Sequence, residues 1–347
     1  MKSNQFPTIY FYAPNVFTGG GKSLLFQIIY HIKKLKINNF YFILDKRLEK
    51  EIDNNLENIF FCKKGFFSRI KCEFHFMKKS NKEDTIIIFN NVAPIFSSKA
   101  RLIMYLQHIL FSGGYYPTKY SNKIKQQIIY SVYYLINKLF FFRIKKIFVQ
   151  SKSMKDSLNV YFPQQNIEIF PFISEKYFEN ELKIEKQFDF IYPANNYFHK
   201  NHLNLLKAIV LLKKENIRPS FIFTISKQDN DLEKIILKYK NNFDLNISLQ
   251  SEVFPDDMKK LYLKCHAMIF PSKFESFGMP LVEAKKLNLK VIAPELDYVR
   301  DIIDPDFTFN TESPISISRA IKRYLKIEEN ETKIYAAKDF INKMTNF

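Results

Sequence analysis

The sequence predicts an α/β protein made of two doubly wound domains that face a cleft. Three observations carry this. Short apolar runs that read as buried strands alternate with helix-period segments in both halves of the chain. The first unit, residues 8–35, is a strand, a glycine-bearing loop and a helix. A charged, aperiodic stretch near residues 175–187 separates the two series. The expected domains are therefore 1–180 and 187–330, with a closing helix in 331–347.

Residues 8–12, TIYFY, read as the first strand, followed by a loop over 13–21 and a helix from about residue 22 to 35. The loop carries Gly19, Gly20 and Gly21, so the opening is Rossmann-like; glycine there admits positive φ or a close backbone approach. GGGKS is only part of a phosphate-binding loop, because that motif needs a glycine five residues before Gly21, where Val16 stands. Residues 41–44 and 85–89 are further strands, the second leading to Asn90 and Asn91. Another at 102–105 runs into Gln107, His108 and then Ser112, Gly113 and Gly114.

Residues 123–148 follow, KIKQQIIYSVYYLINKLFFFRIKKIF. Ile128, Val132, Leu135, Leu139 and Phe142 recur at helical spacing, with Lys and Arg clustered near the ends. Two readings stay open: a helix lying apolar face down on an anionic bilayer, or a buried crossover helix with solvated flanks. Residues 146–150 are expected to be the last strand of the first half, and 151–158 a short helix. From Glu168 the chain reads as a linker.

The second half opens with a strand at Phe188 and a polar loop holding Asn195, Asn196, His199 and Lys200, then a helix. His199 and His202 are expected as loop and helix-start residues, since no acids accompany them in a metal-ligand pattern. Strands at 221–226 and 247–250 and a helix at 258–264 lead to residues 267–303. Helices are expected at 318–325 and 331–344.

The 347 residues suffice for two cores, and no apolar run is long enough to span a bilayer. Three scattered cysteines, Cys62, Cys72 and Cys265, form neither a disulfide framework nor a zinc pattern. With no signal-peptide pattern at the start, a reducing cytoplasm is the expected compartment. The net charge of +18 is uneven. Residues 1–180 hold 27 Lys and Arg against 12 Asp and Glu; residues 181–347 hold 26 against 23. Between Thr85 and Lys155 there is no acid and there are eleven basic residues. Such an asymmetry calls for an anionic partner at the first half.

The stretch 267–303, AMIFPSKFESFGMPLVEAKKLNLKVIAPELDYVRDII, reads strand, polar loop, helix, strand, helix. Pro280 suits a helix start, because its fixed φ fits and its missing N–H is no loss there. A helix beginning at Met279 or Pro280 aims the amides of Phe277, Gly278 and Met279 above the strand ends, a seat for a phosphate or diphosphate. Glu275 and Glu283 flank that seat, eight residues apart. Carboxylates beside a phosphate seat are suited to accept hydrogen bonds from hydroxyl pairs, as on a ribose or a sugar ring.

FPSKFESFGMPLVEA resembles the E-x7-E signature of the retaining, GT-B-fold glycosyltransferases of the family 4 type, including enzymes of bacterial surface-polysaccharide assembly. The resemblance implies sugar transfer from a nucleotide-diphosphate donor, with Glu283 on the ribose and Glu275 on the donor sugar. FHKNHLNLL resembles that family's second-domain opening, placing Lys200 on the donor diphosphate. Where many relatives have an arginine, Asn195 and Asn196 stand here, so Asn196 would give a neutral phosphate contact. The resemblance also puts His108 against the transferred sugar and brings Gly20 and Gly21 close to donor or acceptor. It also implies that the closing helix in 331–347 returns to pack on the first domain. No DxD-like acid pair sits in a suitable loop, so no catalytic metal is expected, and no cofactor beyond the donor. Joined to the basic first half, the resemblance suggests a lipid-linked glycan acceptor at the inner face of the cytoplasmic membrane. Hydrolysis or epimerisation of a nucleotide sugar is the alternative on the same fold. A basic nucleic-acid-binding protein is the rival of another class, but the basic stretch carries no RNP, zinc or helix-turn-helix signature, and no nucleic acid is expected.

Overall fold

A computed structural model describes residues 7–52, 58–108, 124–178, 184–226, 230–251, 253, 255–329 and 333–345. Ser112, Gly113, Gly114 and Lys123 lie outside them. Among the described residues there are two fully parallel sheets. The first contains β1 (Ile9–Ala13), β2 (Phe40–Asp45), β3 (Ile59–Cys62), β4 (Thr85–Ile88), β5 (Arg101–Leu106), β6 (Lys146–Val149) and β7 (Ile167–Ile169). Their spatial order is β3-β2-β1-β4-β5-β6-β7. The strands are nearly all apolar because helices cover both faces of the sheet. One face buries Phe11, Leu24, Leu25, Phe42 and Leu44 under α1 (Gly19–Lys34). The other buries Tyr12, Phe76, Met104, Ile147 and Met154 under α2 (Phe66–Lys79), α3 (Ile124–Phe140) and α4 (Lys152–Tyr161).

The second sheet contains β8 (Phe188–Pro193), β9 (Phe221–Ile225), β10 (Ile247–Ser251), β11 (Cys265–Ile269), β12 (Lys290–Pro294) and β13 (Phe307–Phe309), in the order β10-β9-β8-β11-β12-β13. Its helices are α5 (His202–Lys214), α6 (Asn230–Phe243), α7 (Pro255–Leu263), α8 (Met279–Lys286), α9 (Asp297–Arg300) and α10 (Pro314–Tyr324). One apolar core unites this half, with Tyr192, Phe223, Phe270 and Leu281 among its fully buried members. A last helix, α11 (Ala337–Thr345), buries none of its residues.

Several expectations are corrected. Gly19, Gly20 and Gly21 form the first turn of α1 rather than a loop; Gly19 alone of the three takes a positive φ, +65°. The first half does not end at β6. Ile167–Ile169 pairs with Ile147–Val149 as an edge strand, because Ile167 is buried there, although the stretch was read as linker. α3 is not a buried crossover helix. Its face toward the sheet carries Tyr130, Tyr133 and the buried Asn137, while the aliphatic stripe looks outward.

Candidate active site

The two sheets present the carboxyl ends of their strands to each other, where ligands of open α/β sheets bind. The halves meet through specific contacts. Ser151, which caps α4, donates from Oγ to the Ser276 carbonyl at 3.2 Å. The Ser153 amide and hydroxyl both donate to Asp301 Oδ2, at 2.7 and 2.6 Å. Phe274 and Met279, from the loop and helix after β11, pack on opposite faces of the first domain's core.

That loop ends at Gly278, whose φ of +71° is left-handed, a conformation glycine takes without strain. The turn starts α8 at Met279, with Pro280 in its first turn, as the sequence implies. Gly20 lies beside Met279: a Cβ at position 20 would stand 3.2 Å from Met279 Sδ. A Cβ at Gly21 would stand 2.9 Å from Gln107 Oε1, so α1 and the side chain after β5 approach closely here.

At the floor of the cleft Lys200 Nζ lies 2.5 Å from Glu275 Oε1, with the two side chains 14% and 12% exposed. Burial pushes the Glu275 carboxyl upward, but the Lys200 cation outweighs it and holds the group below its usual range. Lys200 also stands over the Phe270 ring, 5.3 Å from its centroid. Asn201, at φ 64°, donates from Nδ2 to the carbonyls of Pro271 and Thr311 at 3.1 and 2.8 Å. This ties the Lys200 turn to the Glu275 loop. The Lys273 amide bonds the His199 carbonyl at 2.8 Å, and the buried Tyr192 hydroxyl bonds the Lys200 carbonyl.

His199 lies in the turn after β8, as its reading as a loop residue implies, and also belongs to this cluster. Its ring lies parallel to Tyr197 and Phe274, with centroids 5.7 and 4.5 Å away, and its Nε2 is 4.0 Å from Glu275 Oε1. Burial draws its pKa down to about 4, so it is neutral at pH 7. His108 reaches the same group from the first domain. Burial, with His199 nearby, takes its pKa to about 4 as well, while Glu275 acts in the other direction. The Tyr130 ring of α3 is 6.1 Å from the His108 ring. His202 starts α5 as expected; burial takes it to about 3, and its Nε2 is buried without a hydrogen-bond partner.

Glu283, one turn into α8, accepts a 2.8 Å hydrogen bond from the Tyr262 hydroxyl of α7. Phe277 is buried and Asn196 lies exposed in the loop after β8. The structure thus gathers Glu275, Lys200 and His108 into one cluster and brings Gly20 against Met279. Sequence reasoning passed over Tyr192, Tyr262, Ser153 and Asp301, whose parts depend on distant neighbours, and gave His199 no part in the site. Only His199 left a trace, as the residue before Lys200. Among the described residues no group of three or more His, Cys, Asp and Glu side chains is placed to hold a metal.

Two parallel-sheet α/β domains meeting at a charged cleft define the GT-B fold. Residues 173–339 match the family described as glycosyl transferases group 1. Over 133 residues it is 28% identical to the serotype-specific mannosyltransferase WbdA of Escherichia coli, a match covering 38% of this chain and 16% of that protein. Anabaena HepE, solved with UDP and glucose, superposes with a TM-score of 0.68 at 14% identity, over 92% of this chain and 90% of that one. Sucrose-phosphate synthase from Thermosynechococcus elongatus gives 0.65 at 11% identity, over 93% and 90%. The pneumococcal O-GlcNAc transferase GtfA, solved with UDP and GlcNAc, gives 0.56 at 17%, over 75% and 53%.

Proposed function

We propose that the protein transfers a sugar from a nucleotide-diphosphate donor to a hydroxyl of a lipid-linked glycan, with retention at the anomeric carbon, in lipopolysaccharide, O-antigen or capsule assembly. The observation that carries this is the Lys200–Glu275 pair at the floor of the cleft, beside the amino end of α8. Lys200 and the amides of Phe277, Gly278 and Met279 offset charge on the departing diphosphate, which is stabilisation by a preorganised site. With that charge supplied by the chain itself, the reaction calls for no catalytic metal. Glu275, held ionised, accepts hydrogen bonds from donor-sugar hydroxyls. Glu283, oriented by Tyr262, accepts them from the ribose, and Asn196 adds a neutral phosphate contact. His108, uncharged at neutral pH, meets the transferred sugar as a hydrogen-bond partner. In a front-side reaction the leaving phosphate takes the acceptor proton, so no side-chain base is needed.

Structural neighbours solved with UDP and a sugar support the donor class, and the relative named a mannosyltransferase makes a mannosyl donor the first to try. A lipid-linked acceptor places the enzyme at the cytoplasmic face of an anionic membrane. The test is a thermal-shift panel of UDP, GDP, dTDP and ADP with their sugars, followed by product analysis with and without acceptor. A ligand at a hundred times its Kd stabilises by about 2.7 kcal/mol. No shift with any nucleotide would remove the proposal. Release of free sugar that acceptor does not suppress would favour hydrolysis instead.

A further inference from the structure

The most unusual surface of the molecule is the outer side of α3. Ile124, Ile128, Val132, Leu135 and Leu139 are all exposed, from 46% to 72%, and Phe142, in the turn that follows the helix, is 73% exposed. At about 3.6 residues per turn they fall on one stripe, with Lys125 and Lys138 bordering it on opposite sides. The inward side is the more polar one. Asn137 is buried there, donating to the Asn91 carbonyl at 3.1 Å and accepting from the Ala93 amide at 2.7 Å. The helix is therefore built the reverse of an ordinary crossover helix, whose apolar side faces the sheet. An apolar stripe this long on a surface marks an interaction site.

Charge selects the partner. The stripe sits in the 71-residue stretch, Thr85 to Lys155, that contains eleven Lys and Arg and no Asp or Glu. Phosphate headgroups over an acyl layer match both the stripe and its lysine borders. On the same side of the sheet, α2 begins with Phe66 and Phe67, 64% and 84% exposed, after the exposed Lys63 and Lys64. Among the described residues no helix is long and apolar enough to cross a membrane, so a surface contact is the mode available to α3.

We propose that α3 docks the first domain on an anionic bilayer, apolar stripe in the headgroup–acyl boundary and Lys125 and Lys138 on lipid phosphates. This deepens the lipid-linked acceptor proposal by naming the surface that meets the lipid. The same helix carries Tyr130 to within 6.1 Å of His108, so a docked α3 sets the cleft beside the bilayer from which such an acceptor extends.

The test is flotation of the full chain with phosphatidylcholine vesicles, alone or with phosphatidylglycerol, across a salt series. It reads contact without turnover, so this inference and the sugar-transfer proposal can fail separately. The wild-type protein should float with anionic vesicles, less so as salt rises, and not with neutral ones. Lys125→Glu/Lys138→Glu should weaken vesicle binding at least about tenfold, and Leu135→Glu/Leu139→Glu should abolish it. Both pairs are on the surface, and an unchanged melting temperature would show that the fold survives. Wild-type protein that stays unbound at low salt, or variants that float like wild type, would overturn the inference. So would a chain that self-associates through the stripe, with the leucine variants monomeric and no vesicle bound at any composition.

Discussion

Lys200 and Glu275 form an ion pair of 2.5 Å between a turn after β8 and the loop after β11, both side chains nearly buried. Removing one partner leaves a buried charge uncompensated. Lys200→Ala should therefore cost about 3–5 kcal/mol of stability, and about 2–4 kcal/mol of transition-state stabilisation. Urea unfolding and kcat/KM measure the two. The double variant Lys200→Ala/Glu275→Ala should regain much of the stability and none of the activity. Recovery of both would show that the pair is structural only.

Glu275→Ala should depress kcat more than it raises the donor KM, since the carboxylate faces the reacting sugar in the proposed mechanism. Glu283→Ala should do the reverse. Tyr262→Phe, which removes the 2.8 Å hydrogen bond to Glu283, should weaken donor affinity by about 1 kcal/mol. Donor titrations of the three variants check this ordering, and equal effects on kcat in all three would refute it.

Acid should destabilise the protein in two overlapping steps. His108 and His199 have native pKa values near 4, below the ordinary imidazole value of about 6.5. Between those values the unfolded chain binds more protons, so stability falls as pH drops through the window from about 6.5 to 4. Glu275, also held below its usual value, contributes stability that is present above that value and lost as pH falls through the native one. Melting temperature measured from pH 7 to 4 should decline, and His199→Gln should flatten the curve above pH 4.5. An unchanged slope would show that His199 is as easily protonated in the native state as in the unfolded chain.

The Ser153–Asp301 bonds join one domain to the other through a carboxylate at the amino end of α4. Asp301→Ala should loosen the closed arrangement, raising the donor KM several-fold at a stability cost of about 1–3 kcal/mol. Small-angle scattering should show a larger mean radius for the variant without donor. An identical radius with an identical KM would mean that the contact does not hold the cleft.

The parts of the site that the sequence revealed are those set by local chemistry. Gly278 and Pro280 mark a helix start wherever they occur together in this way, and Glu275 and Glu283 are placed by the segment around them. Lys200 was legible only through the resemblance of FHKNHLNLL to the family's second-domain opening. His199 was not, because its part is conferred by the Phe274 ring and the Glu275 carboxylate, more than 70 residues away in sequence. Periodicity told which residues of α3 share a face, but nothing local says which way that face looks; the buried Asn137 decides it. The edge strand Ile167–Ile169 was missed because two of its three residues are exposed, leaving no apolar run to read.

At Gly20 the space left for a side chain ends 3.2 Å away at the sulfur of Met279, across the gap between the halves. A thioether is compliant, so a single methyl at position 20 would be absorbed by a small swing of that chain. A branched group would act as a wedge driven between α1 and α8, and the jaws of the enzyme would stop short of full closure. The residue with no side chain thus stands where α1 of one half and α8 of the other come nearest at this point.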